Sequence, residues 1–421
     1  MAERRQVIIV GGGPGGSTLA ALLRKQDKDV LVLERDRFPR FHIGESLLPG
    51  SLAVLEETGV LPEIDARFLR KYGAVFIDGA RDTETRFSFD EALSTPHHHA
   101  YEVPRDEFDA LLLDHAGRCG AEVRHGWDVD RLLLEGDRAV GVVARSPEGE
   151  RAEIRADVVV DATGRDALRA HAARDNLAKL PRLEETLAIF AQFRGVPRVD
   201  GPLGGDIRIV LTPRCWFWLI PFKDGRTSVG ATLHAHEIVK ARGRPTAEAT
   251  FESLRDAYPP VARLLAEAEP VFPLRAIADY SYRVADISGD GWLAVGDAGG
   301  FVDPLFSTGL HLAMRGARAA AKAILAALDA GDTSRPRWAE YERAQRRATE
   351  IFMGAVQSYY RGELADLLLL DRALHKPFMR RIITSILSGD VYHDDEPRWL
   401  REFARRFPAE LPAGLAPQLS L

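Results

Sequence analysis

Val7-Ile8-Ile9-Val10-Gly11-Gly12-Gly13-Pro14-Gly15-Gly16-Ser17, continued by Val30-Leu31-Val32-Leu33-Glu34, is the stretch that decides the fold. Val7 to Val10 is wholly apolar and β-branched, which predicts a parallel strand buried on both faces. Gly11-x-Gly13-x-x-Gly16 follows. Missing Cβ atoms permit a tight turn and let backbone N–H groups approach a pyrophosphate, and the helix start adds a favourable partial charge. Ser17 to Lys25 carries small and apolar residues at helical spacing, and Val30 to Leu33 reads as a second buried strand, closing a βαβ unit within about 30 residues. Glu34 ends that strand about 20 residues after the glycines, where a carboxylate accepts from a ribose hydroxyl. Gly11, Gly13, Pro14, Gly15, Gly16, Glu34 and Arg35 are therefore the expected dinucleotide-binding residues. The alternative, glycines kept only for packing, leaves Glu34 unexplained.

Composition bounds what such a fold can serve. The chain has 421 residues, 46% hydrophobic and 28% charged, enough for a sizeable core in one compact two-domain unit without metals or disulfides. Its 62 acidic and 56 basic residues give a net charge of −6, spread along the chain, so nucleic acid is an unsuitable partner. Only Cys119 and Cys215 are present, which fits a reducing cytoplasm. The apolar run after Arg5 is broken by glycines and is too short for an export signal, and no stretch approaches the roughly 18 apolar residues of a membrane span.

Beyond the first unit, the pattern is helical from Phe108 to Gly120, then strand-like near Glu122 to Val123, Val140 to Ala144 and Ala156 to Asp161. Ile207 to Leu211, Cys215 to Ile220 and Thr227 to Ala231 predict an antiparallel sheet, assigned to the substrate side. Trp292 to Val295 reads as a buried strand, followed by a glycine-rich turn and a helix from about Leu310 to Leu328 that Gly331 terminates. Helices continue after Pro336 to about Phe407. The expected fold is α/β, Rossmann-like, residues 1–335, interleaved with a substrate-side sheet (about 76–100 and 180–275) and followed by a helical region, 336–421.

NAD and FAD can both use the glycine fingerprint, and two further motifs separate them. Val158-Val159-Val160-Asp161-Ala162-Thr163-Gly164 is similar to the Ala-Thr-Gly turn of FAD proteins, and Gly296-Asp297-Ala298 to the Gly-Asp motif that meets the ribitol chain. Their order resembles the FAD-dependent hydroxylase and halogenase superfamily, with its hydroxylase/glutathione-reductase type of FAD-binding fold. The resemblance implies that Gly164, Gly296 and Asp297 hold FAD, that Arg105 of Val103-Pro104-Arg105-x-x-Phe108-Asp109 lies beside the flavin, and that Ser46 of Gly44-Glu45-Ser46 lines the same cleft. For Arg105 the plain alternative is a surface helix-start residue paired with Asp109. No second glycine fingerprint is visible, so either NAD(P)H docks transiently or a separate flavin reductase delivers reduced FAD.

Trp216-x-Trp218-x-Ile220-Pro221 narrows the chemistry, because a period of two on a strand puts both indoles on one face as an apolar wall. Flavin-dependent halogenases carry this pattern, and the chain resembles them most, in the phenol or pyrrole type. In that family the wall separates flavin from substrate, so that the oxidant meets chloride rather than an organic ring. Lys71 of Lys71-Tyr72-Gly73-Ala74-Val75-Phe76 resembles their active-site lysine, which either hydrogen-bonds hypohalous acid as an ammonium or, with a lowered pKa, captures the halogen as a chloramine. Asp303-Pro304-Leu305-Phe306-Ser307-Thr308-Gly309 precedes the alanine-rich helix, whose N–H groups suit an anion. By resemblance Thr308 and Gly309 bind chloride and Gly309 also borders FAD. Core tryptophans, a solvated lysine and a simply capped helix are the plain readings of these three features.

Tryptophan halogenases have glutamate where this chain has Phe306, so the acid that assists attack by an indole is missing. Phenols or pyrroles, free or on a carrier protein, are the expected substrates. His97-His98-His99 suggests no metal, since neighbouring residues on an extended segment point apart. Tyr359, Tyr360 and Leu367 to Leu370 form an amphipathic patch that closes over substrate, meets a carrier protein, or packs as an ordinary helix. The rival functions are a geranylgeranyl reductase-like or aromatic hydroxylase-like oxidoreductase and an FAD-binding protein without catalysis.

Overall fold

The structure is a computed structural model that describes residues 3–168, 177–183, 185–233, 237, 246–278, 280–371 and 374–412. β1 (Glu3–Val10), α1 (Pro14–Arg24) and β2 (Val30–Glu34) form the expected βαβ unit. The strands pair in parallel, Val7 opposite Val30 and Val10 opposite Leu33. Every residue of β2 is buried, as are Val7 to Val10. Covered on both faces, such strands have no solvent side, and their sequences do not alternate.

Around this unit one sheet runs in the order Ser288–Gly289, Trp292–Ala294, Arg151–Asp161, β1, β2, Glu122–His125. All pairings along this order are parallel except that of Ser288–Gly289 with Trp292–Ala294. A hairpin of Asp128–Glu135 and Arg138–Arg145 joins the first half of Arg151–Asp161 antiparallel. Leu19, Leu22 and Leu23 of α1 share one core with Leu111 to Leu113 of helix Arg105–Arg118 and Ala317, Ala320 and Ile324 of helix Thr308–Asp329. That long helix ends two residues before Gly331, which takes a positive φ of 62° as the sequence implied.

A second sheet runs Glu269–Pro270, Leu187–Arg194, Thr227–Leu233, Cys215–Pro221, Ile207–Leu211, Gly73–Asp78, Glu84–Ser88, with Arg275–Ala278 also paired to Leu187–Arg194. The three strands named from sequence pair antiparallel as expected, and the sheet continues through one parallel pairing, Ile207–Leu211 beside Gly73–Asp78. Between Ser88 and Ile207 the chain passes through the first sheet and then Leu187–Arg194, so no tight turn ties the direction of Ile207–Leu211 to that of Gly73–Asp78. Alternation within Cys215–Pro221 divides its residues between two cores. Cys215, Phe217 and Leu219 pack under Phe251, Leu254 and Val261 of the short helices Ala247–Asp256 and Pro259–Leu264. Trp216, Trp218 and Ile220 face the C-terminal helices instead, sharing a core with Ile351 and Phe352 of Ala339–Tyr360, Ile382 and Ile386 of Pro377–Leu387, and Leu400 of Arg398–Arg406. The tryptophan face is thus covered by the helical region that the sequence placed after Pro336.

Among the described residues no helix is long and apolar enough to cross a membrane. None of their His, Cys, Asp and Glu side chains group as a metal site. The three histidines precede the strand Ala100–Glu102 and diverge, His97 to Glu56 (3.4 Å), His98 to Asp90 (3.9 Å) and His99 to the Tyr101 hydroxyl (3.2 Å).

Candidate active site

The glycine loop has the geometry its sequence promised. A Cβ on Gly11 would lie 2.3 Å from the Ala162 carbonyl, and one on Gly16 would lie 2.0 Å from the Gly11 carbonyl, so neither position admits a side chain. α1 begins with Pro14 and Gly15, and neither a side-chain cap nor an acidic residue occupies its first turn. Its orphan N–H groups are open to an anion. Glu34 accepts from Gly12 N–H (2.7 Å) and Asp36 N–H (2.8 Å), which fixes its carboxylate at the end of β2 beside the loop. Arg35 pairs with Asp166, just beyond Gly164, whose own Cβ position is open space.

Arg40 is a contributor that the sequence reading missed. A Cβ on Gly13 would meet its guanidinium at 3.5 Å, so a positive charge stands beside the loop where a pyrophosphate would lie. Arg40 is held there by Asp109 (3.4 Å) and Asp36 (3.6 Å). Nothing in a motif marks it.

Arg105 departs from its plain surface reading. It does pair with Asp109, through Nε at 2.6 Å and the second terminal nitrogen at 2.9 Å, but the pair is buried rather than on the surface. Its other terminal nitrogen donates to the carbonyls of Ile43 (2.9 Å) and Gly44 (3.3 Å) and meets His42 Nδ1 at 3.2 Å. Arg105 therefore fastens residues 42–44 against helix Arg105–Arg118. Burial, with Arg105 next in weight, pushes His42 down to about 4, so that ring is neutral. Asp297 is raised to about 6 by burial, which the nearby Arg105 and Arg165 oppose. Gly296, with φ of 67°, turns the chain there, leaving a Cβ position 3.1 Å from Ala313.

Gly309 and buried Thr308 open helix Thr308–Asp329, with Ser307 in the left-handed conformation before them and no side-chain cap or acidic residue in the first turn. A Cβ on Gly309 would lie 3.1 Å from the Phe301 ring. This start and that of α1 are two helix starts without a side-chain cap, and their helices share one core.

The two indoles share a face, 5.8 Å apart and tilted by 50°. Gly230 stands opposite Trp218, where a Cβ would lie 2.2 Å from the indole carbons, so glycine is what makes room for the ring. Trp218 Nε1 donates to Ser228 Oγ (3.1 Å). Trp216 Nε1 donates to the Tyr360 hydroxyl (3.2 Å), which in turn donates to Asp303 Oδ2 (3.1 Å). Asp303 also accepts from Leu305 N–H at 2.9 Å, and burial pushes it up to about 7. The Tyr359-Tyr360 end of helix Ala339–Tyr360 therefore pins the tryptophan wall and also borders an open cavity of about 480 Å³ with Leu183, Thr212, Leu233 and Leu369. Phe306 is buried in the same core, without an acid in its place.

Lys71 is not solvated. It is 1% exposed, donates to Ser46 Oγ at 2.6 Å, lies 3.8 Å from Glu102 Oε1 and sits 5.6 Å from the centre of the Phe89 ring. Leu69–Lys71 pairs antiparallel with Ala100–Glu102, Lys71 opposite Ala100 and Leu69 opposite Glu102, so Lys71 and Glu102 are diagonal neighbours on one face. Ser46 bridges to Glu102 from the other side. Next to it Glu45, fully buried and raised to about 7 by burial, accepts from Gln192 (2.7 Å) and faces Ser228 beneath Trp218. The Glu45-Ser46 pair thus links the lysine pocket with the tryptophan strand. Glu45, Glu102 and Asp303 were not singled out from sequence, and Tyr360 was named only as part of an amphipathic patch. Glu45 and Asp303 lay inside quoted motifs, but their burial depends on strands paired over long separations.

Comparison with known proteins agrees with this geometry. Residues 4–354 match the model of the FAD binding domain family. Over 92% of its length the chain is 31% identical to a 1H-pyrrole-2-carbonyl-[peptidyl-carrier protein] chlorinase of Pseudomonas fluorescens, covering 89% of that protein. It is also 31% identical to the corresponding brominase of Pseudoalteromonas luteoviolacea, over 79% of this chain and 80% of that one. Among solved structures, the myxobacterial chondrochloren halogenase superposes with a TM-score of 0.78 at 30% identity, over 96% of both chains. A flavoprotein/dehydrogenase from Cytophaga hutchinsonii superposes with a TM-score of 0.86 at 28% identity, over 96% of this chain and 99% of that one. With a glycine loop, a Gly-Asp turn, a buried lysine and paired indoles placed as described, the chain belongs to the FAD-binding-domain family and, within it, to the FAD-dependent halogenases.

Proposed function

We propose that the chain halogenates an electron-rich aromatic ring, a phenol or a pyrrole presented free or as a carrier-protein thioester, and that Lys71 delivers the halogen. The observation that carries this reading is the burial of Lys71, since a lysine without solvent is costly unless its nitrogen has work to do in a closed site. Bound reduced FAD would supply, with oxygen, the oxidising equivalent that turns halide into electrophilic halogen.

The chain's own residues divide the remaining work. Gly11, Gly13, Pro14, Gly15, Gly16 and Arg40 would hold the pyrophosphate, Glu34 and Arg35 the adenosine side, and Asp297 with Gly164, Gly296 and Gly309 the ribitol and flavin, with Arg105 and Ser46 bordering it. Thr308 and Gly309 would bind chloride at the uncapped helix start. Trp216 and Trp218 would keep organic substrate from the flavin while a small oxidant passes. Phe306 supports phenol or pyrrole over indole, because such rings stabilise their own cation without a neighbouring carboxylate. A separate flavin reductase would feed the site, and helices Ala339–Tyr360, Pro377–Leu387 and Arg398–Arg406 would cover a substrate side built on the second sheet.

The test is turnover with reduced FAD, chloride or bromide and a panel of phenols and pyrroles, both free and loaded on a carrier, read by mass spectrometry. Halogenated product lost in Lys71→Ala is expected. Hydroxylated or hydrogenated product alone would replace this reading by an oxidoreductase one.

A further inference from the structure

Glu102 has no part in the reading so far, yet its placement is costly. It is 0% exposed, and its carboxylate oxygens make no well-formed hydrogen bond, with the Ser46 hydroxyl as the neutral donor beside them. A buried carboxylate left in that state loses several kcal/mol of solvation and is kept only where a neighbouring charge compensates. The cationic group within reach is Lys71, 3.8 Å away and itself 1% exposed.

The groups facing this pair are few. Ser46 Oγ takes one Lys71 hydrogen and faces Glu102. Glu45 adds a second buried carboxyl, already held by Gln192. Asp206 is the third acid; its oxygens are engaged by Arg86 (2.7 Å) and Tyr72 N–H (2.7 Å), and its charge supports the Lys71 ammonium less than that of Glu102 does. Phe89 closes the cation side with its ring face.

We propose that Glu102 is the counter-ion that keeps the Lys71 nitrogen an ammonium through neutral pH, so that Lys71 works as a hydrogen-bond and proton donor to hypohalous acid. Burial is the largest influence on both groups, lowering Lys71 and leaving Glu102 raised to about 7, and their mutual attraction opposes both shifts. The inference rests on the halogenase reading of Lys71 and selects between its two routes.

In this step the ring carbon attacks the halogen of hypohalous acid. The C–halogen bond forms and the O–halogen bond breaks, its electron pair leaving on oxygen. That oxygen takes a proton from the Lys71 ammonium and departs as water. The ring proton then returns to the Lys71 amine, which regenerates the ammonium. Glu102 stays a carboxylate throughout and touches neither halogen nor ring, so it is a positioning residue.

The test compares wild type, Glu102→Gln and Glu102→Asp in two readouts. In flavin-free protein labelled with ¹⁵N at lysine side chains, a slowly exchanging ammonium signal, identified by its absence in Lys71→Met, is expected at pH 7 in wild type and in E102D but not in E102Q. In turnover with chemically reduced FAD and chloride, E102Q should lose at least about tenfold at pH 8 and recover toward pH 6, its alkaline limb moved down by one unit or more, while E102D retains the wild-type limb.

An E102Q protein with the ammonium signal intact and an unmoved limb would overturn the proposal. So would a wild type whose Lys71 shows no ammonium signal at pH 7, which decides the matter even where E102Q does not fold. Should the signals behave as expected while wild type makes no halogenated product, the counter-ion stands and the halogenase reading falls.

Discussion

Gly230→Ala is a one-carbon change that tests whether the indole wall is built as described. The added methyl would sit 2.2 Å from Trp218 ring carbons, where ordinary contact begins at 3.4 Å, so the ring or the strand must give by about 1.2 Å. Trp218 cannot swing outward cheaply: it lies 5.8 Å from the Trp216 ring and 6.2 Å from Phe190. A displacement of that size stretches the 3.1 Å bond to Ser228 beyond 4 Å and breaks it. Overpacking costs about 1–3 kcal/mol and the lost hydrogen bond about 1, so a loss of roughly 2–4 kcal/mol is expected.

Urea titration of the flavin-bound protein, followed by tryptophan fluorescence, would measure it, with the spectrum itself reporting the moved indole. Trp218→Phe in the same chain removes the colliding ring edge and should recover most of the loss, so the double variant is more stable than G230A alone. A G230A protein of wild-type stability and unchanged fluorescence would refute the packing argument. If the wall also separates flavin from substrate, G230A should release more hydrogen peroxide per halogenated product than wild type.

Asp303→Asn should change stability in a pH-dependent way: a carboxyl raised from 3.8 to about 7 in the folded protein favours folding while protonated, and that contribution is lost as pH rises between about 4 and 7. D303N should therefore gain on wild type in thermal melts as pH goes from 5 to 8, and a constant difference would contradict the assignment. Tyr360→Phe leaves Trp216 Nε1 and Asp303 Oδ2 without their shared partner, an expected loss of about 1–3 kcal/mol by denaturant titration, and its absence would show that the bridge is not formed. Arg105→Ala leaves fully buried Asp109 with only Arg40 at 3.4 Å and frees residues 42–44, so about 3–5 kcal/mol and most FAD retention on gel filtration should go together. Gly16→Ala should give a protein that does not retain FAD, since its methyl would overlap the Gly11 carbonyl, and a yellow G16A protein would contradict the loop geometry.

Local signals carried much of this chain. The strand β1, the glycine loop, α1, β2 and the helix Thr308–Asp329 each sit within a few residues of where apolar runs, missing Cβ atoms and helical spacing put them, because those preferences act over one or two turns. Period two on Cys215–Pro221 likewise placed Trp216 and Trp218 on one face without any knowledge of what covers it. The parallel entry of Gly73–Asp78 beside Ile207–Leu211 was not legible, since register between segments some 130 residues apart leaves no local mark.

The same limit separates motif from site. Sequence by itself determined the dinucleotide loop, the indole face and a lysine in a familiar segment, all of which depend on neighbours in the chain. Only the tertiary structure decided that Lys71 is buried against Ser46 and Glu102, that Arg105 turns inward to tie down residues 42–44, and that Tyr360 reaches back to Trp216 and Asp303. The physical reason is that burial and charge compensation belong to what surrounds a group. Those surroundings come here from segments tens to hundreds of residues away, and sequence composition records the groups but not their meeting.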